Sequence, residues 1–302
     1  MCLKWPYLWI AGGAALWGTI GIFIKELSSM GFTPIQIVVL RALSAAVSFL
    51  ILTFFLNRSL LKIHIRDSYY FIGTGLLSIA FFNWCYFKTM NEVSLSVAAV
   101  LLYTAPAFVL ILSRIFFRDL ITKKKVAALL VTFLGCVFVV GYLPASNGGI
   151  TWTGLLTGLG SGLGYSLYSI FGKAASAKYK TLTITTYTFV FAGCALFPIS
   201  GLSHSAHLLE DTEVWLYIIG LGIVPTVLAY ILYTVGLRQV EPSKAAIVAT
   251  VEPVVATLAG FFLFQEKLTL WQCAGILLII FSAVLVQDKQ KKTHLNKGAS
   301  LT

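Results

Sequence analysis

Two charged side chains stand inside long apolar stretches of the sequence, and their chemistry sets them apart from their surroundings. Arg41 lies within the stretch 34–56, and Glu252 lies within 244–264, directly before Pro253. If these stretches cross a membrane, a charge at the helix centre costs roughly 2.5 to 3.5 kcal/mol. Each charge should therefore face a partner or a water-filled cavity.

Several roles are open to this acid and this base. Arg41 and Glu252 could pair with each other, or they could hold a zwitterionic substrate between them. A further hypothesis is that Glu252 takes up and releases a proton during a working cycle. The plainer alternative is that Arg41 binds neighbouring backbone carbonyls and Glu252 only locks helix packing.

Prolines and aromatic residues add to this candidate pathway. Pro106 and Pro253 interrupt apolar stretches, where a proline removes a backbone hydrogen bond and kinks the helix. A freed carbonyl at membrane depth is tolerated only against protein or a water-filled cavity, although a simple packing kink stays open. Aromatic rings with one polar tip suit a cavity wall, and among those that lie deep in apolar stretches the candidates are Trp17, Tyr103, Tyr165 and Tyr168.

The composition indicates the solvent around these residues. Of 302 residues, 58% are hydrophobic and 11% are charged, and the mean hydropathy is +0.89. Soluble domains carry about 25% charged residues. A membrane-spanning helix needs about 20 apolar residues, and ten segments qualify: 7–25, 34–56, 69–87, 94–113, 126–143, 152–172, 182–200, 214–235, 244–264 and 269–287. The sequence therefore predicts an all-α integral membrane protein with ten transmembrane helices.

The basic residues predict the orientation of the chain. Eighteen of the 22 Lys and Arg residues fall in alternate connections: the N-terminus, 57–68, 114–125, 173–181, 237–244 and the tail 289–302. The opposite connections hold Lys25, Lys88 and Lys267. The positive-inside rule then predicts a multi-pass protein of the cell membrane with both termini in the cytoplasm. The net charge of +11 thus needs no nucleic acid as a partner.

The chain partly matches itself after a shift of 147 residues. The most informative identities are Tyr86 with Tyr233, Ser96 with Ser243, Pro106 with Pro253, and Thr122 with Thr269. We therefore expect a first repeat over 1–146, a second over 147–288 and a cytoplasmic basic tail over 289–302. Five spans per copy is an odd number, so the copies should insert in opposite orientations. Inverted repeats are typical of transporters that work by alternating access.

The repeated segments resemble a known family. "LWGTIGIFIKEL", Arg41, "LLYTAPAFVLILSRIFFRDLIT" and "TVEPVVATLAGFFLFQEKLTLWQCAGILLII" are similar to the EamA family of the drug/metabolite transporter superfamily. The resemblance covers nearly all of 7–287. It implies ten helices, transport of small metabolites or amino acids, commonly export, and a central cavity lined by the first four helices of each half. Asp119 stands where the family more often has Glu.

Rival functions find less support. Intramembrane proteolysis needs a Ser with a His, or two Asp, inside the spans, and the ten segments contain neither His nor Asp. The "GLGSGLG" run follows no strand and is not a nucleotide fingerprint. The sequence thus predicts no enzyme, no cofactor and no metal site.

The sequence instead predicts a secondary transporter with a small-molecule substrate and the lipid bilayer as partners. The leading prediction is export of amino acids or related compounds. An uptake permease or channel-like facilitator is the alternative, with a scaffold ranked below. Proton coupling and a homodimer stay open.

Overall fold

The computed structural model describes residues 5–141 and 151–287, and its regular structure there is helical throughout. The tail 289–302, Lys4 and the start of the second repeat at 147–150 lie outside the described residues. The helices of the first half are α1 (Trp5–Gly18), α2 (Ile20–Ser29), α3 (Pro34–Asn57), α4 (Ser68–Ile72), α5 (Phe81–Glu92), α6 (Leu95–Leu102), α7 (Ala105–Phe117) and α8 (Lys123–Val139). Those of the second half are α9 (Trp152–Ala175), α10 (Thr181–Leu196), α11 (Thr212–Gly222), α12 (Ala229–Leu237), α13 (Pro242–Ala249), α14 (Val251–Phe264) and α15 (Leu270–Leu285).

Many of these helices join end to end into longer rods. Seven rods in the described residues are long and apolar enough to cross a membrane: Trp5–Ser29, Pro34–Leu61, Ile65–Glu92, Leu95–Phe117, Thr181–Ile199, Thr212–Leu237 and Pro242–Phe264. The apolar helix α15 has 16 residues and is shorter. Helices α8 and α9 are not among the seven; α8 opens with three lysines, and α9 is rich in Gly, Ser and Thr. The count of ten crossings therefore stays a prediction.

The two halves interrupt their helices at equivalent positions. The break between α6 and α7 falls at Tyr103, and the break between α13 and α14 falls 147 residues later at Thr250. Their φ/ψ angles are nearly equal, −73°/8° and −69°/5°. Pro106 and Pro253 lie in the first turn after each break, where proline lacks only an N–H that would have no partner in the helix. Each proline thus lies in the first turn of the helix that follows the break.

Helices α7 and α14 also end in the same way. Arg118 and Gln265 end α7 and α14 in the left-handed region, with φ of 58° and 57°. Thr122 and Thr269 then cap the next helices, each accepting a hydrogen bond from the backbone N–H three residues ahead. The same turn therefore connects α7 to α8 and α14 to α15.

A matched π-helical stretch occurs in each half as well. It spans Gly73–Ala80 in the first half and Ile223–Leu228 in the second, so the two stretches overlap after the 147-residue shift. Pro225 lies in the second stretch, whereas Ser78 holds the equivalent place in the first. The irregular backbone is therefore a property of the repeat and does not depend on the proline. Such π-bulges are frequent at functional sites.

Repeat mates pack against each other in antiparallel fashion. In α8 and α15, Thr132 donates a hydrogen bond to Ser282 over 2.7 Å, and Gln272 donates to the carbonyl of Val139 over 3.4 Å. As the residue number rises along α8, the number of its contact partner on α15 falls, so the two helices are antiparallel.

Helices α3 and α10 repeat this arrangement. The hydroxyls of Thr53 and Thr186 lie 2.9 Å apart, and the rings of Phe49 and Phe189 stack with centroids 5.7 Å apart. Residues near the start of α3 pack instead against Leu196 at the end of α10. Equivalent helices of the two halves therefore run in opposite directions.

Candidate functional site

The two charged residues inside the apolar helices line the same cavity. This cavity has a volume of about 240 Å³ and lies between helices of both halves. Arg41 reaches it from α3, and Glu252 reaches it from the first turn of α14. Trp17, Tyr103 and Tyr165 also line it. Five of the side chains singled out from the sequence thus meet at one place.

Arg41 and Glu252 share the cavity without a direct ion pair. Within the described residues, no nitrogen of Arg41 lies within 4.0 Å of a carboxylate oxygen. Arg41 is 8% exposed, and its buried Nε has no hydrogen-bond partner. Glu252 accepts a hydrogen bond from the Tyr165 hydroxyl at Oε2 over 2.9 Å. The structure therefore does not show the direct pairing of Arg41 with Glu252, and more than 4.0 Å separates the guanidinium nitrogens from the carboxylate oxygens.

The position of Glu252 follows from the helix break at Thr250. Because α14 begins at Val251, Glu252 lies in the first turn, where the backbone N–H groups lack partners within the helix. Carboxylates are stabilised at such helix N-termini by the helix dipole. The interrupted backbone therefore places Glu252 in the first turn of α14, at the end of the helix where the dipole favours a carboxylate.

Aromatic rings form the floor of the cavity. Trp17 packs against Tyr230 and Tyr233, with ring centroids 5.0 and 4.9 Å apart. Trp17 is 7% exposed, and its Nε1 is buried without a hydrogen-bond partner. Two of the residues that line the cavity, Arg41 and Trp17, thus each contain a buried donor atom without a hydrogen-bond partner in the protein.

Three residues proposed from the sequence do not line this cavity. Tyr168 lies behind the floor, where its hydroxyl is 2.6 Å from that of Thr234, and it lines a void of about 10 Å³ shared with Trp17. Pro106 lines another void of about 10 Å³, which also touches Glu252. Pro253 is buried in the first turn of α14. These residues support the site from outside it.

Sequence reasoning missed several wall residues. Asn83 and Tyr230 both line the cavity, and they are repeat mates, 147 residues apart. Asn83 also donates to the carbonyl of Ile79 over 2.7 Å, beside the π-helical stretch. Tyr86 lines the cavity too, although its match with Tyr233 had served only to recognise the repeat. Polar residues at matched positions were the signal that could have revealed this set.

The cavity reaches the surface at one end of the helix bundle. Gly21 and Pro34 line it and are exposed, and both lie toward the connection between α2 and α3. We call the other end, where the connections 58–67, 118–122, 176–180 and 238–241 lie, the basic end. Toward the basic end, the aromatic floor closes the cavity.

Lysines tie the connections together at the basic end. The ammonium of Lys173 donates to the carbonyls of Leu237, Arg238 and Val240 over 2.8 to 3.0 Å. It thereby binds the end of α9 to the end of α12, where carbonyl groups lack partners. The side of the bundle away from the cavity mouth is thus held shut by hydrogen bonds to backbone.

An ion-pair cluster strengthens this closure. Glu241 pairs with Lys125 over 2.6 Å and with Lys244 over 3.1 Å. Burial alone would raise the pKa of the Glu241 carboxyl, but its hydrogen bonds and charge interactions with the two ammonium groups outweigh burial and hold that pKa below its ordinary value of 4.5. The cluster joins the start of α8 to the start of α13, and so links the two halves.

Comparison with known proteins identifies the family. The EamA-like transporter family matches residues 4–141 and again residues 152–287. The chain belongs to the EamA-like transporter family. It is a multi-pass membrane protein of the transporter class, and each half carries one copy of the family's repeat.

Relatives across most of the chain carry transporter names. A protein of Archaeoglobus fulgidus named an uncharacterized transporter is 31% identical over 294 residues, covering 95% of this chain and 99% of the relative. The inner membrane transporter YicL of Salmonella typhimurium is 22% identical, covering 93% and 95%. A solved crystal structure is 20% identical with a TM-score of 0.74 over 93% of this chain and 95% of the other, and that likeness shows the fold alone.

Proposed function

We propose that this EamA-like protein is a secondary transporter that exports amino acids or related small zwitterions by alternating access. The observation that carries the proposal is the placement of Arg41 and Glu252 on one cavity, unpaired, at the depth of the apolar helices. An acidic and a basic side chain that do not pair with each other are suited to bind a zwitterionic ligand, which carries one charge of each sign.

Recognition then uses each end of the substrate. The carboxylate of the substrate binds the Arg41 guanidinium, whose planar donors match a carboxylate. The ammonium group binds Glu252, which Tyr165 holds in place. The aromatic rings of Trp17, Phe82 and Tyr230 cover an apolar side chain between the two charged ends. Burial of these charges is tolerated because each one gains a partner when the substrate arrives.

Alternating access follows from the relation between the halves. We take the halves as residues 1–146 and 147–288, each crossing the membrane five times and inserted in opposite orientations, with both termini in the cytoplasm. The antiparallel packing of α3 on α10 and of α8 on α15 supports this inversion. In the present conformation the cavity reaches the surface away from the basic end. Exchanging the conformations of the halves would open it toward the basic end instead.

Energy coupling is proposed to run through Glu252. A carboxylate that binds the substrate ammonium in one state can bind a proton in the other, so that proton entry and substrate exit alternate. A proton moving down a potential of 100 mV releases about 2.3 kcal/mol. Transport without a proton is the competing outcome, and it is separated by net amino-acid efflux from liposomes with and without an imposed inward proton gradient, which should accelerate efflux only if a proton is exchanged.

The test is amino-acid exchange by the purified protein in liposomes. Vesicles are loaded with a mixture of amino acids, and entry of each labelled amino acid from outside is measured by exchange. Glu252→Gln and Arg41→Gln should each reduce exchange at least tenfold, because a charged partner of the substrate is lost. Glu213→Gln, which removes an exposed carboxylate at the start of α11, is the matched control and should exchange normally.

Substrate analogues show which charge binds which group. A methyl ester lacks the carboxylate, and an N-acetyl derivative lacks the ammonium. The intact protein should discriminate against both as competitors. Arg41→Gln should discriminate less against the ester, and Glu252→Gln should discriminate less against the N-acetyl compound. Equal discrimination in all three proteins would contradict this assignment. Efflux from loaded cells, compared with uptake from the medium, decides between export and import.

A further inference from the structure

A second pocket lies at the basic end, apart from the central cavity. It has a volume of about 560 Å³ and lies between the 58–67 connection and the segment 178–183. Lys62, His64, Lys178 and Lys180 line it, whereas Asp67 is its one carboxylate. The pocket therefore has a surplus of positive charge.

The single carboxylate is already fully engaged. Asp67 binds the ammonium of Lys178 at Oδ1 over 2.7 Å and the hydroxyl of Tyr179 at Oδ2 over 2.8 Å. Lys62 and Lys180 form no ion pair within 4.0 Å with any carboxylate of the described residues. These two ammonium groups are therefore free to bind an anion from outside the protein.

A helix N-terminus adds to the positive potential of the pocket. Helix α10 begins at Thr181, and no side chain caps its first turn. The hydroxyl of Thr183, which lines the pocket, donates instead to the carbonyl of Leu60 over 2.8 Å. The first N–H groups of a helix lack partners within it, and such groups bind phosphate and other anions. Lys180 at the N-cap and Thr183 in the first turn both line the pocket, so the N-terminus of α10 lies beside the lysine charges.

The pocket is preformed by contacts between its two walls. The Tyr187 hydroxyl donates to the carbonyl of Leu61 over 2.6 Å, and the backbone N–H of His64 donates to the hydroxyl of Tyr179 over 3.2 Å. Together with the Asp67–Lys178 ion pair, these bonds fix the connection against the start of α10. An anion would therefore bind without first having to order the site.

Exposed apolar side chains flank this charged pocket. Phe55 and Leu56, at the end of α3, are 80% and 65% exposed, and Ile65 in the same connection is 89% exposed. A soluble anion would make no use of these side chains. A phospholipid has a phosphate group for the pocket and acyl chains for the apolar flank. Basic clusters beside membrane helices attract anionic headgroups by about 1 kcal/mol for each Lys or Arg, or about fivefold in affinity.

We infer that this pocket binds the phosphate group of an anionic membrane phospholipid. Lys62, Lys180 and the N-terminus of α10 hold the phosphate, and the acyl chains lie along the end of α3. The lipid would thereby join the 58–67 connection of the first half to α10 of the second half. This inference concerns a lipid-binding site and does not depend on which substrate the protein carries.

Native mass spectrometry of the purified full chain tests the inference. The protein is released from vesicles of phosphatidylcholine mixed with phosphatidylglycerol, and the fraction carrying each lipid is measured. The intact protein should retain phosphatidylglycerol in preference to phosphatidylcholine. Lys62→Gln/Lys180→Gln should lose this preference, by about fivefold for each lysine removed. The control Lys123→Gln/Arg238→Gln removes two exposed charges at the same end, at the start of α8 and just after α12, and should keep this preference.

Three results would overturn the inference. The first is the absence of any preference for phosphatidylglycerol in the intact protein. This measurement needs no variant, so it remains decisive even if the double variant fails to fold. Another is an equal loss in the control variant, which would indicate diffuse charge attraction. The last has two parts. Inorganic phosphate displaces the lipid completely, and in lipid-free detergent it raises the Tm of the protein as much as phosphatidylglycerol does. That result would assign the pocket to a soluble phosphate.

Discussion

Tyr165 donates a hydrogen bond to Glu252 over 2.9 Å and thereby joins α9 to the first turn of α14. Both residues line the cavity that also contains Arg41. The bond fixes one oxygen of the carboxylate and leaves the other oxygen available to a ligand. The hydrogen bond thus holds a half-buried carboxyl group in a defined position on the cavity wall.

Tyr165→Phe should therefore weaken substrate binding while leaving turnover nearly unchanged. A hydrogen bond to a charged group contributes about 1.5–3 kcal/mol, so we expect KM to rise about tenfold or more. Kinetics of exchange in liposomes measure this. Tyr187→Phe removes a tyrosine hydrogen bond outside the cavity, to the carbonyl of Leu61, and should leave KM unchanged. An unchanged KM in Tyr165→Phe would show that Glu252 does not depend on this bond.

Trp17→Phe should lower affinity without lowering stability. The Nε1 of Trp17 is buried without a partner, and such a donor costs about 1–3 kcal/mol in the empty protein. Phenylalanine removes the donor and keeps a ring on the cavity floor, so we expect Tm to change little and substrate affinity to fall about fivefold. Trp271→Phe, at an exposed position of α15, is the control. A large fall in Tm with unchanged affinity would indicate a packing role only.

Gly275→Ala should destabilise the contact between α8 and α15. A Cβ at Gly275 would lie 2.7 Å from the carbonyl oxygen of Gly135 and 2.8 Å from the backbone nitrogen of Val139. Backbone cannot move aside as a side chain can, and overpacking costs about 1–3 kcal/mol. We expect a lower Tm in detergent.

Gly172→Ala is the matched control for this substitution. A Cβ there meets only side-chain atoms at 3.5 Å or more, and alanine favours a helix over glycine by about 1 kcal/mol. Its Tm should be unchanged or higher. Equal falls in Tm for the two variants would mean that the close contact of α8 and α15 does not determine stability.

Acid should weaken the closure at the basic end. The pKa of Glu241 is held below its ordinary value of 4.5 by Lys125 and Lys244. A carboxylate whose pKa is lowered on folding stabilises the folded state above its unfolded pKa, and this contribution is lost as pH falls through the folded pKa. The Tm advantage of the intact protein over Glu241→Gln should be constant at neutral pH and should disappear below pH 4.5.

The difference between the two proteins matters because other carboxylates titrate in the same range. Thermal unfolding is therefore measured for both proteins in the same series of buffers. If the Tm difference does not change with pH, the stabilisation of this end does not come from the charge of Glu241.

Several features of the site could be predicted from the sequence. Arg41 and Glu252 stood out because charges are costly in apolar segments, and both line the cavity. The helix breaks at Tyr103 and Thr250 had a signal in the repeated prolines, which lie in the first turns of the helices that follow. Tyr168 was placed on the pathway from its depth alone, and it lies behind the cavity floor.

The amino-acid sequence by itself determined that this is a helical membrane protein of two repeats, because hydropathy, charge distribution and self-similarity are local properties of the chain. Only the tertiary structure decided that Arg41 and Glu252 share a cavity without pairing, and that Asn83 and Tyr230 complete its wall. The physical reason is that lipid and protein interior are both apolar, so the composition of a membrane helix does not show which face meets lipid and which meets another helix. Contacts between α3, α9 and α14 depend on packing over long sequence separations, and no local pattern encodes them.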